Sequence, residues 1–139
     1  MSSSDRPRLD VSAIKVEPNE CPVNSELHLS LAFTSDKPLS NARWRVSYVV
    51  DTVYKRKKIA LGETEATSVP AQEHTEMKFH VSRVPTEGLT EEVLANAGLL
   101  IATLVVGEEE EEVCDIKMVT QVEKDDSGIL VRNVFNPLL

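Results

Sequence analysis

Cysteine is nearly missing: Cys21 and Cys114 are the whole supply in 139 residues. Two thiols so far apart match no zinc-ligand spacing and make no disulfide framework, so a stable core must come from apolar packing. The three histidines, His28, His74 and His80, are equally sparse, and neither a metal nor a cofactor is expected. Cations are short as well. Lys and Arg number 15 against 23 Asp and Glu, a net charge of −8 with a pI near 4.9. That balance argues against direct nucleic-acid binding, where affinity for phosphate comes from clustered cations. No apolar run approaches the roughly 18 residues of a helical membrane span, so no membrane partner is expected. The opening Met1-Ser2-Ser3-Ser4-Asp5-Arg6-Pro7 has no apolar stretch of the kind a signal peptide needs. A location in the nucleus or cytoplasm is therefore expected.

What the chain has in quantity is alternation. Leu27, Leu29, Leu31 and Phe33 alternate with His28, Ser30 and Ala32. Trp44, Val46, Tyr48 and Val50 do the same with Arg45 and Ser47, Met77, Phe79 and Val81 with Lys78 and His80, and Cys114, Ile116 and Met118 with Asp115 and Lys117. A period of two puts one apolar face on each strand. Residues 99–106 are apolar on both faces and rich in branched side chains, which predicts a central strand covered on both sides. Weaker strands are expected over 11–16, 59–61 and 129–135. Turn residues separate them at Pro18-Asn19, Ser35 to Pro38, Val69-Pro70-Ala71, Pro85 to Gly88 and Asp125 to Gly128. Short strands divided by such turns predict an all-β antiparallel sandwich. One short helix is expected after Thr90, a capping residue, with Glu91 and Glu92 at its positive end and Gly98 closing it. Residues 1–8 are expected to be disordered and 9–139 to form one domain.

No local catalytic signature is present: no phosphate-cradling glycine loop, no Gly-x-Ser-x-Gly, no His-Glu-x-x-His and no Cys-x-x-Cys. The alternation places Cys114 inward, and neighbouring Asp115 works against a thiolate there. Cys21, beside Pro22, lacks an activating neighbour in sequence. A non-enzymatic protein is expected. Two charge runs remain, Lys55-Arg56-Lys57-Lys58 and the five glutamates 108–112. The tetrad lacks interleaved aromatics and is read as a solvated strand end or an acidic-partner contact, with protection of an edge strand as the structural alternative. The glutamates repel one another and are read as a solvated hairpin tip, with a landing site for a basic segment as the functional alternative.

The order of these features resembles the anti-silencing-function histone chaperones. Ile14-Lys15-Val16 leads into Pro18-Asn19-Glu20-Cys21-Pro22, Glu26 to Phe33 is similar to that family's alternating second strand, and Arg43-Trp44-Arg45-Val46-Ser47-Tyr48-Val49 to its Glu-Trp-Lys-Ile-Ile-Tyr-Val. Ser68-Val69-Pro70-Ala71 falls on its Pro-Val-Pro-Ala turn, and Arg132-Asn133-Val134-Phe135-Asn136-Pro137 on its Arg-Asn-Ile-Leu…Asn-Pro. The likeness spans most of the chain at low identity. It implies an immunoglobulin-like sandwich that binds the histone H3–H4 dimer through an apolar strand patch, an acidic pair and an arginine. On this chain the patch maps to Val49, Leu99 and Ile101, and the paired aromatics to Met118-Val119. The acidic positions fall on Lys55 and Lys58 and the arginine on Asp115, so both charged features are inverted. A partner surface is thus expected on the strands carrying Val49, Asp51, Lys55, Lys58, Leu99, Ile101, Asp115 and Met118. Its occupant is expected to be H3–H4 or an acidic segment in its place. An adaptor for non-histone partners in a cytoplasmic, cytoskeletal or ciliary assembly is the alternative.

Overall fold

A computed structural model describes residues 7–51, 56–87, 89–95 and 98–138. Among the described residues ten strands follow one another: β1 (Leu9–Glu17), β2 (Cys21–Pro22), β3 (Leu27–Ser35), β4 (Leu39–Asp51), β5 (Arg56–Glu63), β6 (Thr67–Val69), β7 (Thr75–Val81), β8 (Gly98–Val106), β9 (Glu111–Lys124) and β10 (Leu130–Val134). A helix, α1 (Glu91–Leu94), precedes β8. The strands pair antiparallel in two sheets. The small one has the order β1-β3-β7, and the large one β2-β10-β9-β8-β4-β5 with β6 also on β4. The protein is an all-β sandwich, as its period-two pattern requires.

Alternation decides what fills the space between the sheets. Leu27, Leu29, Leu31 and Phe33 from β3 meet Trp44, Val46, Tyr48 and Val50 from β4, with Leu100, Ala102, Leu104, Ile116 and Met118 beside them. Phe33 and Trp44 pack edge to face with centroids 5.5 Å apart, the geometry that ring quadrupoles favour. Burying a branched or aromatic side chain stabilises by about 1.5–3 kcal/mol, and this row supplies most of the fold's driving force.

Side chains from the ends of the chain lock the two sheets together. Asn19 mimics a ladder strand, its amide oxygen accepting from the Val134 N–H at 2.9 Å and its nitrogen donating to the Val134 carbonyl at 3.3 Å. Asn136 donates to the Ile14 carbonyl at 2.7 Å. Arg132 is buried and donates to four backbone carbonyls, those of Val23 and Ser25 through Nη1 and of Pro18 and Glu26 through Nη2.

The expected turn at 125–128 is present. The Asp125 carboxylate accepts from the N–H groups of Ser127 and Ile129, and Gly128 adopts the left-handed φ of 82° that a side chain would resist. Thr90 caps α1 as expected, its Oγ1 accepting from the Val93 N–H at 3.3 Å. Gly98, however, opens β8 instead of closing the helix. It faces the interior there, where a Cβ would lie 2.7 Å from the Tyr48 hydroxyl and 2.8 Å from its ring. Gly98→Ala is expected to destabilise by about 1–3 kcal/mol, because the buried ring must move to admit the methyl. A shift in the urea midpoint at unchanged slope would show it; an unshifted midpoint would refute the close approach. Of the eight residues expected to be disordered, 1–6 lie outside the described residues. Arg8 exchanges backbone contacts with Asp36, donating to its carboxylate at 2.7 Å and accepting from its N–H at 3.1 Å.

Candidate binding face

Directly paired residues of antiparallel strands project to the same side, so register alone assembles the outer face of the large sheet. One row reads Lys58–Val49–Leu99–Val119 across β5, β4, β8 and β9. The next reads Ala60–Ser47–Ile101–Lys117, and a third Arg45–Thr103–Asp115. Phe135, just beyond β10, donates its N–H to the Val119 carbonyl at 2.9 Å and extends the first row. Val119 is 51% and Phe135 46% exposed, while Leu99 and Ile101 are half-buried and Val49 is screened by its neighbours.

The expectation that residues 99–106 are covered on both sides holds for residues 102–105, where Thr103 and Val105 are buried as well as Ala102 and Leu104, but not for Leu99 and Ile101. β8 is central, with β4 on one edge and β9 on the other. Its inward residues Leu100, Ala102 and Leu104 meet the small sheet, but among the described residues no second layer lies over Leu99 and Ile101. Met118 is a second correction. It is fully buried in the core, because alternation turns it away from the face that Leu99 and Ile101 share. Val119 takes the surface place instead, directly opposite Leu99.

Lys58 and Lys117 bracket the apolar centre, and among the described residues neither has an ion-pair partner. Asp115 accepts a hydrogen bond from Thr103 Oγ1 at 2.7 Å and stands one row from Lys117. Asp51 ends β4 opposite Arg56, and Lys55 lies outside the described residues. The structure thus brings Val49, Lys58, Leu99, Ile101 and Asp115 onto one face. Val119, Phe135 and Lys117 join them there. Their signal was present in the sequence: if Ile116 and Met118 point inward, Lys117 and Val119 must point out.

The glutamate run closes the other end of this face. Gly107 to Glu110 form the turn between β8 and β9, with left-handed φ values of 78° at Gly107 and 56° at Glu110. Glu110 folds back on the arginines of β4, pairing with Arg43 Nη2 and, at 2.7 Å, with Arg45 Nη2. Glu63 bridges the same two side chains, 2.6 Å from Arg45 Nε and 3.5 Å from Arg43 Nε. The hydrogen bond and charge of Arg45, then those of Arg43, hold the Glu110 carboxyl below its ordinary value of 4.5. A depressed carboxyl stabilises the fold above about pH 4.5, and that contribution fades as pH falls through the folded value. Glu110→Gln is expected to be less stable than the parent at neutral pH and low salt, the gap narrowing below pH 4.5 and at high salt. Denaturation curves at both pH values check this. A gap that persists in acid would assign the loss to something other than charge.

Cys114 is half-buried against the core, and burial, then the Asp115 carboxylate, push its pKa up. Cys21 donates from Sγ to the Pro18 carbonyl at 3.4 Å. An open cleft of about 450 Å³ lies between β7 and the β5–β6 side, lined by Trp44, Glu63, Glu65, Met77, Phe79 and His80 among others. Neither cysteine reaches it.

No protein-family model matches the chain, and no curated protein matches it. Among solved structures it is similar to part of a β-glucosidase from Listeria innocua in complex with gluconolactone. The identity is 14% and the TM-score 0.45, over 81% of this chain and 15% of that one. The same enzyme in complex with isofagomine gives 15% identity and a TM-score of 0.41, over 81% and 16%. The chain therefore spans about one sixth of that enzyme's length, and a likeness at this level carries no argument about activity.

Proposed function

We propose that the chain is a non-catalytic protein-binding module, similar in its working face to the histone H3–H4 chaperones but with a switched charge preference. One observation carries the reading. β8 has the composition of a doubly covered strand, yet Leu99 and Ile101 are only half-buried, so their cover is incomplete, whereas Thr103 and Val105 farther along the strand are buried. A partner segment laid across Leu99, Ile101 and Val119 would complete that cover. Lys58 and Lys117 on either side favour carboxylates in that segment and disfavour the lysines and arginines of a histone. Like charges placed across an interface cost several kcal/mol. The preferred occupant is a helix or extended segment with apolar anchors flanked by Asp or Glu.

Mixing the purified protein with H3–H4 dimers at low ionic strength separates the two partner classes. The switched-charge reading expects no stable complex through this face, and Lys58→Glu with Lys117→Glu to gain histone binding. Tight H3–H4 binding by the parent chain, abolished by Leu99→Glu, would restore the unswitched chaperone reading.

A further inference from the structure

The outer face of the small sheet, on the opposite side of the sandwich, holds a separate cluster. His28 of β3 and His80 of β7 are direct cross-strand partners, their rings stacked with centroids 4.2 Å apart and planes inclined by 22°. Glu26 Oε2 lies 3.2 Å from His28 Nε2 and 3.4 Å from His80 Nε2. On its other flank His28 is paired in register with Glu17 of β1, whose carboxylate meets Lys15 at 3.0 Å. Arg132 anchors the Glu26 backbone through its carbonyl, so the carboxylate is presented from a fixed point.

We propose that Glu26, His28 and His80 form a site for a divalent transition-metal ion, zinc above all, with water in the fourth position. Three features support it. The first is geometry: the three donor atoms all lie within 4.8 Å of one another, and the two shorter separations match a tetrahedron's edge. Zinc bonds of roughly 2.0–2.2 Å to nitrogen and carboxylate oxygen give edges of about 3.3 Å. The second is donor type. Two imidazoles with one carboxylate suit zinc, copper or nickel and disfavour magnesium and calcium, which take oxygen ligands. The third is presentation. Both rings turn the same nitrogen toward one carboxylate oxygen, so an ion replaces shared protons without refolding a strand.

Charge around the cluster bears on its affinity for a cation. Glu26 and Glu17 favour a cation, whereas Lys15 on β1 and Lys78 on β7, cross-strand neighbours of Ser30 one row away, oppose it. Binding requires imidazoles free of protons at the ligating nitrogens, so zinc competes with protons and affinity falls as the solution is made acidic.

The test is a calorimetric titration of the whole chain with zinc chloride at slightly alkaline pH, repeated with magnesium chloride. One equivalent of zinc is expected to bind, with magnesium silent, and the imidazole NMR signals of His28 and His80 shift while those of His74 stay. His28→Gln and His80→Gln, both at exposed positions, should each weaken zinc by at least the ~10–100-fold typical of a lost supporting group, and His74→Gln by nothing. Unchanged circular dichroism establishes that the variants are folded. Absent zinc binding, or binding that survives both substitutions through the thiols or the glutamate turn, overturns the proposal.

Discussion

Arg132→Ala is expected to cost about 3–5 kcal/mol, enough to leave a domain of this size marginal or unfolded at physiological temperature. The reason is the number of groups that depend on one side chain. The carbonyls of Pro18, Val23, Ser25 and Glu26 all accept from its guanidinium, and they lie on the two connections that flank β2. Hydrogen bonds to a charged donor contribute about 1.5–3 kcal/mol each, and their loss leaves buried acceptors without partners. Burial pulls the guanidinium pKa down from its ordinary value, with Cys21 and Tyr48 acting in the opposite direction. The charge is retained, solvated by carbonyl dipoles in place of a carboxylate. Lysine has no planar fork and should recover only part of the loss. Urea denaturation of Arg132→Ala and Arg132→Lys measures both steps. A loss below about 1 kcal/mol for alanine would mean that the carbonyls find water once the side chain is gone.

The second large effect concerns the outer face of the large sheet. Leu99→Glu and Ile101→Glu should each weaken partner binding by about 2 kcal/mol or more, roughly 30-fold, because each removes an apolar anchor at the centre of the patch. Neither side chain is fully buried in the free protein, so stability should change little. Reversing Lys58 and Lys117 acts differently. It should slow association and invert the response to salt, as charges at the rim of an interface do. Affinity purification with parent and variant baits in parallel distinguishes these outcomes. A partner retained by both Leu99→Glu and Ile101→Glu would exclude the face.

Most strands were legible because period two is a physical consequence of the pleat. Leu27 to Phe33 and Trp44 to Val50 each show one apolar and one polar face in sequence, and both line the core. β2 and β6, two and three residues long, are too short to carry any period. Part of the proposed face was also legible: register puts Val49, Lys58, Leu99, Ile101 and Asp115 on one side of the large sheet. Met118 was misplaced by following aromatics in the resemblance instead of the strand's own alternation. The Glu26–His28–His80 cluster was hidden because it depends on register between strands fifty residues apart, which no local pattern encodes. Arg132 likewise gives no signal of its carbonyl clasp until the chain ends meet.

The central claim is that a macromolecule sits on the outer face of β4, β8 and β9. A photo-crosslinking amino acid placed at Ile101, and separately at Ser30 on the opposite face, tests it in the protein's native cells. Discrete protein adducts from position 101, lost when Lys58 and Lys117 are reversed to glutamate, are the predicted result. Adducts from position 30 with none from 101 would contradict the account.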